Sequence, residues 1–168
     1  DDRACKWACQ RRHDTTTSYK LAKSNYAACS GNVDPEHNVD RRGCFYGRSK
    51  IKFRDIIDGT SQTIFVGERS TINGAAVWAG PDNNAIAATG SRALSMVLGS
   101  TGGGATSTLV MNPASNIADV EDAFSSRHVG GAHFLIADGA VRFISEDIDL
   151  VNYRKLGQRD DENQIGDF

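Results

Sequence analysis

The sequence predicts an α+β fold dominated by antiparallel β-sheet and closed by one short helix near the carboxyl end. Three observations predict it: short apolar runs between turn residues from Ser24 onward, two apolar segments flanking Asp138-Gly139, and a capped apolar stripe after Ile148. At 168 residues the chain has room for one domain with its own core. Residues 1–23 are polar, with Arg11-Arg12-His13-Asp14 ahead of Thr15-Thr16-Thr17-Ser18, and follow neither the helical nor the strand period. They read as an irregular arm ahead of a globular head over residues 24–168.

Within the head, Asn25 to Cys29 ends at Ser30-Gly31-Asn32, Gly43 to Gly47 is bounded by glycines, Ile51 to Ile57 stops at Asp58-Gly59, and Thr63 to Val66 stops at Gly67. Each is strand-length and punctuated by turn residues, which predicts strands joined by tight turns. Ala75 to Ala79, before Gly80-Pro81-Asp82, is a further short strand. Ala93 to Ala118 is uncharged but broken by Gly102-Gly103-Gly104 and Asn112-Pro113, so it reads as a long loop rather than a membrane span. Asp138-Gly139 suits a two-residue type I′ turn, which would place Phe134 opposite Phe143, Ile136 opposite Val141 and His133 opposite Ile144. After the hairpin, Asp149 is an expected N-cap, Ile148 and Tyr153 occupy the staple positions, and Gly157 supplies the stop. Leu150, Tyr153 and Leu156 form the stripe that lies on the sheet, and Arg159 to Phe168 reads as an acidic tail.

Nineteen basic residues against twenty-one acidic ones give a net charge of -2, so no overall positive field draws the chain to nucleic acid or an anionic membrane. The four cysteines, Cys5, Cys9, Cys29 and Cys44, all lie in the first 44 residues. An even number in a turn-rich segment suits two disulfides in an oxidising compartment, with Cys29–Cys44 and Cys5–Cys9 as the favoured pairing. Free thiols and a four-thiolate zinc site are the rivals; Cys29 and Cys44 are too far apart in sequence to make a second zinc knuckle.

His128, Asp138 and a hydroxyl from Ser125 or Ser126 have the residue types of a hydrolase triad. An extended strand between them spans ~20 Å and keeps the imidazole from the acid. No nucleophile elbow accompanies them. Asn32, Asp34, Glu36, Asn38 and Asp40 place an oxygen ligand at every second position, with Asp34, Glu36 and Asp40 as the carboxylates, and calcium is the cation such a set would take; the glycine of an EF-hand turn is missing after Glu36. Glu68, at the end of a strand, is expected to bond a histidine or a turn, with His128 as its partner, or that of Asp58.

Taken in order, these signals resemble one family. They are Ser24-Asn25-Tyr26-Ala27-Ala28 with Gly31-Asn32, Asp55-Ile56-Ile57-Asp58-Gly59-Thr60-Ser61-Gln62-Thr63-Ile64 with Val66-Gly67-Glu68, Val77-Trp78, Phe124 to Ala132, and Ala137-Asp138-Gly139 to Ile144. His128 precedes Asp138-Gly139 with nine residues between them. The pattern resembles the H-x9-DG, prepilin-type family abundant in planctomycete bacteria, over residues 24–168. The resemblance marks Asp58, Gly59, Glu68, Trp78, His128, Gly130, Gly131, Asp138 and Gly139 as signature positions. It implies a pilin-like head similar to the major pseudopilins of type II secretion: an exported, non-enzymatic structural subunit at the cell surface, contacting copies of itself in an oligomer or filament. Such subunits carry an N-terminal apolar helix as their membrane anchor, and contact with a membrane is expected only through such a helix, which residues 1–168 do not include. The resemblance implies no cofactor. An extracellular carbohydrate- or adhesin-type binding module using the loop from Pro81 to Ala118 is the alternative, and a hydrolase using Ser126 and His128 the more remote one.

Overall fold

The computed structural model describes residues 23–33, 42–71, 76, 97–102, 109–114, 120–163, 165, 166 and 168. Its sheet has five strands: β1 (Tyr26–Cys29), β2 (Ile64–Glu68), β3 (Leu98–Gly99), β4 (Gly131–Ile136) and β5 (Val141–Ser145), in the order β3-β1-β2-β4-β5. Four of them form the expected antiparallel series. The fifth corrects the all-antiparallel expectation: β3, inside the stretch read as a loop, pairs parallel with β1 through Ala28↔Leu98 and Cys29↔Gly99. A parallel neighbour needs a long crossover, and residues 30–97 supply one.

The core lies mainly on one face of this sheet. Ala27 and Cys29 from β1, Ile64 from β2, Ala132, Phe134 and Ile136 from β4, and Ile144 from β5 are all buried there with Phe124. Helix α1 (Leu150–Leu156) covers them with Tyr153 and Leu156, while Leu150 packs at the margin, as its stripe predicts. Asp149 caps the helix by accepting the Asn152 N–H at 3.0 Å. Gly157 ends it in ordinary right-handed conformation. Its bareness serves a close approach instead, because a Cβ there would collide with Thr101 Oγ1 and crowd the Gly31 carbonyl. Phe65, one residue after Ile64, points the other way and joins a smaller cluster of Cys44, Ile56 and Ala137 with Phe45 and Ile51. No helix among the described residues is long and apolar enough to cross a membrane.

The hairpin exists, but its register differs by one residue from expectation. Leu135 faces Val141, Phe134 faces Arg142, His133 faces Phe143 and Ala132 faces Ile144. The turn holds three residues, Ala137, Asp138 and Gly139: Gly139 N–H donates to the Ile136 carbonyl at 2.9 Å, and Gly139 sits at φ 92°. The preceding segment decides this. Ala137 and Asp138 donate their N–H groups to the Thr63 and Thr60 carbonyls at 2.8 and 3.0 Å, so the extra residue earns bonds that a two-residue turn would forgo. The predicted Phe134–Phe143 pair is therefore not made. Phe134 instead meets Phe124 edge-on at 5.3 Å, and Phe143 meets His133 at 5.1 Å.

Two other strand expectations change. Ile51 to Ile57 is not a strand but holds a 3-10 turn, Phe53–Asp55, because the Asp55 carboxylate folds back to accept the Lys52 N–H at 2.8 Å. Gly43 to Gly47 is irregular, tied to the end of β1 by Phe45 N–H to the Cys29 carbonyl at 3.2 Å. Of Ala75 to Ala79 only Ala76 is described, bridged to Ser24. Nor is the carboxyl segment a loose tail. The Arg159 carbonyl accepts from Ile57 and Asp58, the Arg159 N–H donates to Arg42, and Gln62 and Ile165 exchange two bonds at 2.8 and 3.1 Å. The arm, except Lys23, lies outside the described residues.

Candidate functional site

Most of the signature positions fasten backbone. Asp58 accepts the N–H groups of Asp161 and Glu162 at 2.9 and 2.7 Å, holding the carboxyl segment against the turn before β2. Partial burial raises its pKa, and the Asp161 carboxylate nearby adds to the rise against the lowering effect of those two N–H groups. Gly59 and Gly130 adopt φ 97° and 85°, conformations open to glycine. At Gly131 a Cβ would collide with the Ile144 carbonyl across the hairpin. Asp138 accepts the Ala140 N–H at 2.9 Å and so shapes the turn that Gly139 completes. Trp78 lies outside the described residues.

Glu68 and His128 do more than fasten backbone, and His133 joins them. Glu68 ends β2, and the β2–β4 register sets it beside His133 on the sheet surface away from Phe134. One oxygen, Oε2, accepts the His133 backbone N–H at 2.7 Å, which fixes the carboxylate's rotation. The same oxygen lies 3.4 Å from His133 Nδ1, while Oε1 lies 3.3 Å from His128 Nε2, so the expected Glu68–His128 partnership is formed. His128 arrives on a short loop whose shape is set by Ser126: its hydroxyl donates to the Gly131 carbonyl at 2.7 Å and accepts the His128 N–H at 3.0 Å. The two imidazole rings meet edge to face at 4.9 Å. The Glu68 side chain is 14% exposed, against 40% for His133 and 54% for His128, so a largely buried carboxylate carries two imidazoles that open to solvent. Beside them runs a cleft of ≈ 380 Å³ whose walls include Asn25, Ser70, Ser125 and Ser126.

The other candidate residues do not gather here. Asp138 sits at the far end of β4 from His128, and Asp58 bonds the carboxyl segment rather than His128. Ser125 is buried and accepts the Ser70 N–H at 3.0 Å, and the Ser126 hydroxyl is engaged as described. Cys29 and Cys44 are free thiols, which corrects the expected bridge between them. The Cys29 thiol lies in the large cluster against the Gly31 and Gly157 carbonyls, whereas Cys44 belongs to the smaller cluster. Burial pushes their pKa values up to about 12 and about 11. Cys5, Cys9 and the calcium candidates Asp34, Glu36 and Asp40 lie outside the described residues.

Sequence reasoning did not single out His133. The alternation Ala132, Phe134, Ile136 does put it on the face opposite the main core, and that was the available signal.

The comparisons with known proteins agree with this motif pattern without adding an activity. No curated protein and no solved structure matches the chain. One family does, described as "Protein of unknown function (DUF1559)", and it matches residues 8–151, so it begins inside the polar arm and takes in all five strands. The chain accordingly belongs to the DUF1559 family, the family of the H-x9-DG domain.

Proposed function

We propose that this chain is the non-enzymatic globular head of an exported, pilin-like subunit that assembles with copies of itself at the cell surface. The observation that carries the reading is the use of the signature residues. Asp58, Gly59, Gly130, Gly131, Asp138 and Gly139 each hold a turn or close a loop onto the sheet, as the parts of a scaffold do. The ordered motifs that resemble a prepilin-type family supply the rest. The outer surface of the hairpin offers a contact for a second copy, since Val141 and Phe143 stand 67% and 45% exposed there. Apolar side chains side by side on an edge strand favour association.

The test places a photo-crosslinking amino acid at Val141 in the full gene product, made in its own bacterium. A ladder of self-crosslinked species in material sheared from the cell surface is the expected result. A chain that stays inside the cell, or one that crosslinks to no second copy, overturns the proposal.

A further inference from the structure

We propose that Glu68, His128 and His133 bind a zinc-class divalent cation, held by one carboxylate oxygen and two imidazole nitrogens. The ligand atoms of these three residues all lie within 4.8 Å of one another. The two nitrogen-to-carboxylate separations, 3.3 and 3.4 Å, are long for charge-assisted hydrogen bonds, which run at about 2.8 Å. Each is measured to a different oxygen, Oε1 for His128 and Oε2 for His133, and each is close to the edge of a tetrahedron with metal–ligand bonds near 2.05 Å, about 3.3 Å. For one oxygen to serve both nitrogens, an imidazole must draw toward it and toward the other ring, and the more exposed His128 has the freedom to do so.

Chemistry and support both favour this cation. Two imidazoles with one carboxylate suit zinc and its first-row neighbours and not calcium or magnesium, which prefer oxygen alone. One carboxylate and two neutral imidazoles bring a single negative charge to the dication, leaving a position for water on the exposed side. The Glu68 carboxylate is oriented by the His133 N–H, and the backbones that carry the two imidazoles are held by β4 and by the His128 N–H on the Ser126 hydroxyl. The cation would clamp the loop carrying His128 to the ends of β2 and β4. This inference is independent of the self-assembly reading and concerns the isolated chain.

The experiment titrates the chelator-treated protein with Zn2+ and, as a coloured reporter, Co2+. We expect one equivalent bound, a visible Co2+ band of tetrahedral intensity, and a higher Tm with Zn2+. His128→Ala and His133→Gln should each weaken binding by roughly ten-fold or more while the far-ultraviolet circular dichroism stays unchanged. X-ray absorption on the Zn2+-loaded wild type keeps the question open to refutation if either variant fails to fold. A shell of nitrogen and oxygen with two imidazoles at about 2.0–2.1 Å supports the site. Sulfur neighbours at about 2.3 Å, which would mean that cysteines hold the metal, overturn it. So does a wild type that binds neither cation, or affinity unchanged in both variants.

Discussion

Arg69 follows directly on β2, yet it is only 1% exposed, and its guanidinium reaches the Leu98, Asp122 and Ala123 carbonyls at 2.8, 3.1 and 3.4 Å. Burial lowers its pKa to about 10, against the opposing pull of Asp122 and Glu121, so it remains charged at neutral pH. Arg69→Met would keep most of the volume but take this donor from the Leu98 and Ala123 carbonyls, leave the Asp122 carbonyl with its bond from the Ser100 N–H, and remove the positive neighbour of buried Asp122. The expected cost is about 3–5 kcal/mol, read as a fall in the urea midpoint. Cys29 provides a second test at this scale. Its folded pKa of about 12 lies above the ordinary 9.0, so its contribution to stability is complete below pH 9 and lost as the pH climbs toward 12. Buried Tyr153 titrates in the same direction. Stability should therefore decline above pH 9, and Cys29→Ala should flatten part of that decline while costing about 1 kcal/mol at neutral pH. At mildly alkaline pH, alkylation of native Cys29 should run roughly a hundred-fold or more slower than in the urea-unfolded chain; equal rates would contradict its burial.

Among the elements, the β4–β5 hairpin separates two kinds of glycine. Gly139 has open space around its missing Cβ, so Gly139→Ala adds only the strain of a positive φ, about 1–2 kcal/mol. Gly131→Ala drives a methyl group into the Ile144 carbonyl, where both partners are backbone, and should disrupt the hairpin end beside His133. Amide exchange of the β5 protons would distinguish them: protection retained in the first variant, lost near Ile144 in the second. The hairpin also shows what local sequence can carry. Asp138-Gly139 announces a turn, and the alternation from Ala132 to Ile136 announces which side is core. The same dipeptide serves a two-residue or a three-residue turn, however, and the carbonyls that choose between them belong to Thr60 and Thr63, some seventy residues earlier. The capped helix was legible because Asp149, Tyr153 and Gly157 all lie within one short window. Strand β3 was not, because two residues carry no period and its partner is β1. His133 was hidden for the related reason that its carboxylate neighbour is set by strand pairing.

Over the whole molecule, β1 lies inside the sheet between β3 and β2, so the first strand depends on partners from two later parts of the chain. Residues 150–168 then cover the main face and bond back to earlier segments: Tyr153 and Leu156 fill the core, the Arg159 guanidinium donates to the Gly43 carbonyl at 2.7 Å, and Asp161 and Glu162 bond Asp58. A chain ending at Asp149 would keep every strand and still lack these closures. It should show no cooperative urea transition and no fixed near-ultraviolet signal, whereas a native-like transition would assign the stability to the sheet alone.

That fastening gives the molecule a direction in time. On a ribosome the segments that lock the structure emerge after every strand they cover, so the sheet precedes its own clasps. Closure thus follows the making of the sheet in a fixed order, imposed by where the clasps sit along the string.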